Sequence, residues 1–293
     1  MSYTKLSFSR MFSARYYILL NQFLNLIGNA IKKRQFKLRI KIFRKLFIQR
    51  EDDIYIVSYM KSGTTLMQMI VYQLTTDGQM DFSHIYDVSP FLENELNNPV
   101  VSTQNLNKLE SPRIIKTHFR NQALPSQLKG KVICVTRNGM DVAVSMYHHY
   151  KNYHMPDLEW DAHINQWFAD KYTWFDHVFD WKENKRNYNV HYVAYEDIIN
   201  DPRNTIEGIA RFLELNPTEE VYDRVVERCS FSFMKTNQEK FGLDTRGIVT
   251  DQFIRKGKAN HGHHSFSNDQ KAKFKKMFTE VFGSYEEDKS NTN

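Results

Sequence analysis

The sequence predicts an α/β fold: a P-loop-like parallel β-sheet flanked by helices on both faces. Three observations carry this. Short apolar runs start near residues 54, 113, 131 and 189, each of strand length and rich in β-branched or aromatic residues. Helical stretches separate the runs, which implies crossover connections and a parallel sheet. The first and third runs end in polar turns that open directly into apolar helices. In such sheets ligands bind beyond the carboxyl ends of the strands.

The totals agree. The chain has 293 residues, 41% of them apolar and 14% aromatic, enough for a sizeable core. Cys134 and Cys229 are the only cysteines. They give no disulfide framework and no zinc pattern, which fits a reducing compartment, so a cytoplasmic location is expected. A net charge of +6 favours an anionic ligand or surface. No basic block interleaved with exposed aromatics stands in the main body, and no nucleic-acid partner is expected.

Residues 1–50 are expected to form a basic amphipathic helical segment, 51–285 one domain, and 286–293 a flexible tail. Tyr16 to Ile31 carries no charge, with Leu20, Phe23, Leu24, Ile27 and Ile31 at helical spacing. It is short and polar for a membrane span and lacks a small-residue cleavage site. Lys32 to Arg50 holds nine basic residues and no acidic one. A helix with a solvated basic face is the first expectation, and a peripheral membrane contact through residues 15–50 the sharper one.

Ile54-Tyr55-Ile56-Val57 reads as the first strand. Lys61-Ser62-Gly63-Thr64-Thr65 turns into a buried helix with Leu66, Met67, Met69, Ile70, Val71 and Leu74. A strand, a Gly-containing loop and a helix start surround a phosphate with backbone N–H groups. Gly63 allows close approach, the two threonines add hydroxyls, and Lys61 adds a mobile charge. The loop is not G-x-x-x-x-G-K-[ST], because Lys61 precedes the only glycine. A Mg-nucleotide triphosphatase is therefore disfavoured.

Residues 75–110 read as loop and short helix, with Phe82, Ile85, Val88, Phe91 and Leu92 facing a pocket. Arg113 to His118 is the second strand, and puts Lys116 and His118 beside Lys61 if the strands are neighbours. Lys131 to Thr136 is the third. Arg137 closes it, and Ser145 lies about two helical turns onward, a second candidate phosphate subsite. Tyr147 to Trp181 is rich in aromatics and histidine, expected as core helices plus an aromatic acceptor pocket. Asn189 to Tyr195 is the fourth strand, followed by a helix over 203–215. Arg255-Lys256-Gly257-Lys258 suits an anion-gripping loop. Ser267 to Phe282 is a terminal helix.

Six segments together resemble the cytosolic-type sulfotransferases, which use 3′-phosphoadenosine 5′-phosphosulfate (PAPS). They are YMKSGTT at 59–65, RIIKTHF at 113–119, VTRNGMDVAVSMYHHY at 135–150, VAYEDIINDP at 193–202, SFSFMKTN at 230–237 and FIRKG at 253–257. The resemblance implies a sulfotransferase fold and sulfuryl transfer from PAPS to the hydroxyl of a small-molecule acceptor, leaving 3′-phosphoadenosine 5′-phosphate (PAP). It implies that Lys61 to Thr65 hold the 5′-phosphosulfate. Arg137, Ser145, Arg255, Lys256 and Gly257 would grip the 3′-phosphate, and Tyr195, Leu66, Cys229 and Phe231 would contact the nucleotide. His118 would be the general base, with Lys61 and Lys116 as catalytic cations. No metal is expected.

The chain departs from the family at three places. Leu66 stands where Trp is frequent, and Cys229 where Thr is common. After FIRKG the run is Lys258 to Phe266 rather than the usual dimer motif, so a homodimer is not implied. Two rival functions predict other behaviour. An ATP-dependent small-molecule kinase needs carboxylates near the loop, which the sequence does not place there. A non-enzymatic basic membrane-surface module would act through residues 15–50.

Overall fold

The computed structural model describes residues 28, 30–76, 78, 80–170, 173–242, 253–259 and 261–284. Most of the uncharged stretch 16–31 and the expected tail 286–293 lie outside them. Helix α1 covers residues 30–46. Strand β1 (Ile54–Ser58) follows, then α2 (Thr64–Thr75), α3 (Ile85–Val88), α4 (Leu92–Glu95) and α5 (Pro99–Lys108). Strands β2 (Ile114–Thr117) and β3 (Lys131–Thr136) precede α6 (Gly139–Tyr153), α7 (Trp160–Ala169) and α8 (Trp174–Glu183). Then come β4 (Val190–Ala194), α9 (Tyr195–Asn200), α10 (Pro202–Leu213), α11 (Glu219–Arg228), α12 (Phe231–Thr236) and α13 (Asn268–Phe282).

Residues 49–93 with 109–293 form one compact unit, to which the sheet belongs. Among the described residues its strand order is β2-β1-β3-β4, and every pairing is parallel. Val57 lies opposite Thr117 on one side and Cys134 on the other. The register therefore brings the chain just after β1, β2 and β3 to one edge. There the loop at Lys61, His118 and Arg137 meet. Thr136 pairs with Ala194, so Arg137 and Tyr195 leave the sheet side by side.

Two apolar clusters cover this frame. One joins Ile54 and Ile56 to Met67, Ile70 and Val71 of α2, Ile206 and Ile209 of α10, and Val225 of α11. The other joins Val142 and Ala143 of α6 to Ile164 and Trp167 of α7, Phe175 of α8 and Phe274 of α13. In the aromatic region at 147–181, Trp167, Phe168, Trp174, Phe175 and Trp181 are buried, while His148, His149 and Tyr150 of α6 line a pocket.

The second strand starts one residue later than the sequence indicates. Arg113 is buried just before it, and its guanidinium pairs with Asp53 at 2.7 Å. The stretch at 229–237 resolves into a helix end and a new start. Cys229 closes α11, and Ser230 caps α12 by accepting from the Phe233 N–H at 3.3 Å.

The second unit comprises residues up to 48 together with 94–108. Within it Asn107 ties down the end of α1, donating to the Leu46 carbonyl at 3.2 Å and accepting from the Ile48 N–H at 3.3 Å. Phe43 is buried, while Ile31, Leu38 and Leu46 are exposed. Among the described residues no helix is long and apolar enough to cross a membrane.

Candidate active site

The loop after β1 is shaped by two left-handed residues, Lys61 at φ 66° and Gly63 at φ 98°. Gly63 is the residue before α2, where a left-handed φ suits a residue without Cβ. A side chain there would collide with Tyr195, whose Cδ2 would lie 2.5 Å from the new carbon. The Ser58 and Thr64 hydroxyls are 2.6 Å apart and close the loop across its base. The Ser62 hydroxyl is buried without a partner. Lys61 Nζ lies 4.8 Å from the centre of the Phe253 ring.

Arg137 organises the neighbouring subsite. Its Nη1 donates to the Lys61 carbonyl at 3.2 Å and its Nη2 to the Lys258 carbonyl at 3.2 Å. The guanidinium also stacks on Tyr195, 4.3 Å from the ring centre. Asp141, one helical turn on, pairs with Arg137 at 3.5 Å and accepts from the Gly262 N–H. One side chain thus joins the loop after β1, the loop at 255–258 and the start of α6.

His118 sits at the other end. Its Nδ1 donates to the Ser58 carbonyl at 2.8 Å, since a carbonyl only accepts. This leaves Nε2 as the lone-pair nitrogen. Glu93 Oε1 accepts from the His118 N–H and the Thr117 hydroxyl, and Phe91 packs edge-on against His118 at 5.2 Å. Lys116 is buried, bonds the Tyr86 hydroxyl at 2.9 Å and lies 4.5 Å from the Phe91 ring centre.

Burial sets the protonation of these groups. It lowers Lys61 to about 8, helped by the positive charges of Lys116, Arg137 and Arg255. It lowers Lys116 to about 8 as well, with Glu93 opposing. Burial, and then the charge of Lys116, holds His118 well below the usual imidazole value. Burial raises the Cys229 thiol, which is inert at neutral pH.

A cavity of about 500 Å³ runs between these groups. Every residue expected at the site lines it except Ser62, which is buried beneath the loop. Leu66, half-buried, contributes to its wall, and Phe231 is 42% exposed. Sequence reasoning missed Asp141 and Glu93, having placed no carboxylates near the loop. Asp141 was accessible from its i, i+4 spacing to Arg137. Glu93 had no such local signal. Both carboxylates hold backbone N–H groups of the site, at Gly262 and His118.

The family model described as the sulfotransferase domain matches residues 51–286. The chain belongs to the sulfotransferase family. This sulfotransferase is 33% identical over 247 residues to sulfotransferase 1 family member D1 of Rattus norvegicus, covering 79% of this chain and 84% of that one. It is 31% identical over 254 residues to sulfotransferase 1E1 of Homo sapiens, again with 79% and 84% covered. Among solved structures, mouse sulfotransferase SULT7A1 complexed with PAP aligns with a TM-score of 0.65 at 28% identity, covering 80% and 85% of the chains. Retinol dehydratase in complex with androsterone and PAP shares the fold, with a TM-score of 0.71 at 22% identity and 87% of each chain covered.

Proposed function

We propose that this sulfotransferase moves the sulfuryl group of PAPS directly to a hydroxyl of a small-molecule acceptor, an alcohol or phenol, with His118 as general base. The observation that carries the reading is the fixed tautomer of His118. With Nδ1–H committed to the Ser58 carbonyl, Nε2 is the only ring atom that can take a proton, and burial keeps it unprotonated at neutral pH.

The residues fit an anionic nucleotide. Lys61 lies in the repulsive field of Lys116, Arg137 and Arg255, which bound phosphate and sulfate groups would relieve. Arg137 Nε is buried without a hydrogen-bond partner. PAPS supplies an activated sulfuryl group when bound. Lys61 and the backbone of Ser62 to Thr65 would hold its 5′ end. Arg137, Ser145, Arg255, Lys256 and Gly257 would hold its 3′-phosphate, with Tyr195, Leu66, Cys229 and Phe231 around the rest. Lys61 and Lys116 would stabilise the charge that develops during transfer. His118 Nε2 would accept the acceptor's hydroxyl proton. The two free cysteines accord with action in the cytoplasm.

The test is a thermal-shift titration with PAP and, in parallel, ATP-Mg, followed by an acceptor panel assayed with PAPS. Stabilisation by PAP alone is expected, rising to about 2.7 kcal/mol at 100 times its Kd. A His118→Ala variant should keep that stabilisation and lose about 100-fold or more in turnover. Stabilisation by ATP-Mg alone would replace this reading with the kinase one.

A further inference from the structure

His148 and His149 are adjacent on α6, and both line the cavity. Burial first, and then Arg255, Lys256 and Lys151, lower His148 to about 4. Burial first, and then Lys61, His154 and Lys116, lower His149 to about 3. His149 therefore feels the charges of Lys61 and Lys116, which line the same cavity, and it is neutral at physiological pH.

The structure gives His149 no polar work. Its Nδ1 is buried without a hydrogen-bond partner. Its neighbours are rings: Tyr153 at 5.2 Å, the exposed His154 at 5.6 Å and Tyr150 at 6.0 Å between centres. An apolar side chain would serve packing there without a stranded nitrogen. The imidazole torsion is broad and roughly two-fold, and no hydrogen bond of Nδ1 opposes a turn. The ring can therefore present either nitrogen to the cavity.

We propose that His149 is a specificity-determining residue that hydrogen-bonds a second polar group of the acceptor. The preferred substrate class is then a neutral molecule carrying the hydroxyl to be sulfated and a further hydroxyl, carbonyl or amide. A neutral imidazole offers one N–H and one lone pair, which matches such groups. A cationic amine is disfavoured, because Lys61 and Lys116 act on the same space. This rests on the sulfotransferase reading, with the acceptor entering beside His118.

The experiment uses the full chain with PAPS and matched acceptor pairs. Each pair shares one frame (phenol, benzylic alcohol or alicyclic alcohol) and differs only by an alkyl or a hydroxymethyl substituent. The wild type should favour the polar member in kcat/KM by about tenfold, the worth of one neutral hydrogen bond. His149→Phe should erase that preference, chiefly through KM, and His149→Gln should restore part of it. The PAP-induced thermal shift should be the same in all three proteins, showing an intact fold and nucleotide site. A preference that survives in His149→Phe overturns the proposal, as does a wild type that favours the alkyl members or turns over none of the pairs. Absence of a PAP shift in the wild type overturns the sulfotransferase reading beneath it.

Discussion

Glu93 holds the backbone of His118: its Oε1 accepts the His118 N–H at 2.6 Å and the Thr117 hydroxyl at 3.1 Å. Its Oε2 is buried without a partner. Burial raises the carboxyl to about 7. The role is positional, so an oxygen acceptor matters more than a charge. Glu93→Gln should keep kcat within a few-fold of wild type. Glu93→Ala should lose about 100-fold, as a displacement of roughly 1 Å can cause, while PAP stabilisation persists. Wild-type kcat in the Ala variant would remove Glu93 from the mechanism. The raised value also has a pH consequence. The folded protein binds the Glu93 proton more tightly than the unfolded chain. This stabilisation is therefore complete below about pH 4.5 and lost as pH rises through about 7. Melting curves from pH 5 to 8 should fall less steeply for Glu93→Gln than for wild type.

Lys61 and Lys116 both stand near 8 in the free protein, lowered mainly by burial. An anionic nucleotide favours their charged forms and raises both values. Binding should therefore take up protons near pH 8, and affinity should fall as pH rises through that point. Calorimetric titration with PAP at pH 8, in two buffers of different ionisation enthalpy, measures the uptake. Zero uptake, or release, would mean that neither lysine meets the ligand.

The sheet and the phosphate-type loops were legible because each is written in a few consecutive residues. The run at Ile54–Val57 needs no partner to be read as a strand, and Gly63 marks its own loop. The edge of the site is then fixed by parallel register, which carries His118 and Arg137 to Lys61. What escaped is long-range. Glu93 reaches His118 across 25 positions in sequence, by a fold of short helices that periodicity does not specify. Arg113 and Asp53, just before β2 and β1, are buried against each other across 60 positions in sequence, a pairing that no local pattern marks. His149 was seen within an aromatic stretch, but its direction depends on the helical phase of α6 against the lysines.

Gly63 is where the loop after β1 passes directly against the Tyr195 ring. An added Cβ would fall 2.5 Å from Tyr195 Cδ2, in a left-handed backbone that other residues adopt at a cost. Relief requires Tyr195 to move, and Tyr195 carries the stacked Arg137 guanidinium. Gly63→Ala should therefore weaken PAP binding by about tenfold or more, since strain of this kind is worth roughly 1–3 kcal/mol. Isothermal titration against wild type reads the change. An unaltered Kd would show that Tyr195 yields freely and does not organise Arg137.

Asp53 and Arg113 should separate stability from activity. Their carboxylate and guanidinium are fully buried and bonded twice at 2.7 Å, just before β1 and β2. Asp53 also accepts from the Arg50 N–H at 2.9 Å and the Tyr55 hydroxyl at 3.3 Å. This lies at the end of the strands opposite His118 and Lys61. Asp53→Ala removes the carboxylate that neutralises the buried Arg113 guanidinium, and breaking a buried ion pair in this way costs about 3–5 kcal/mol. The double variant Asp53→Leu with Arg113→Met removes both charges and should recover most of that loss. Urea unfolding should report these differences, while the PAP dissociation constant of the folded protein stays at the wild-type value in each variant. A single variant that unfolds like wild type would mean that water reaches Arg113, because only a dehydrated guanidinium makes loss of its partner so damaging.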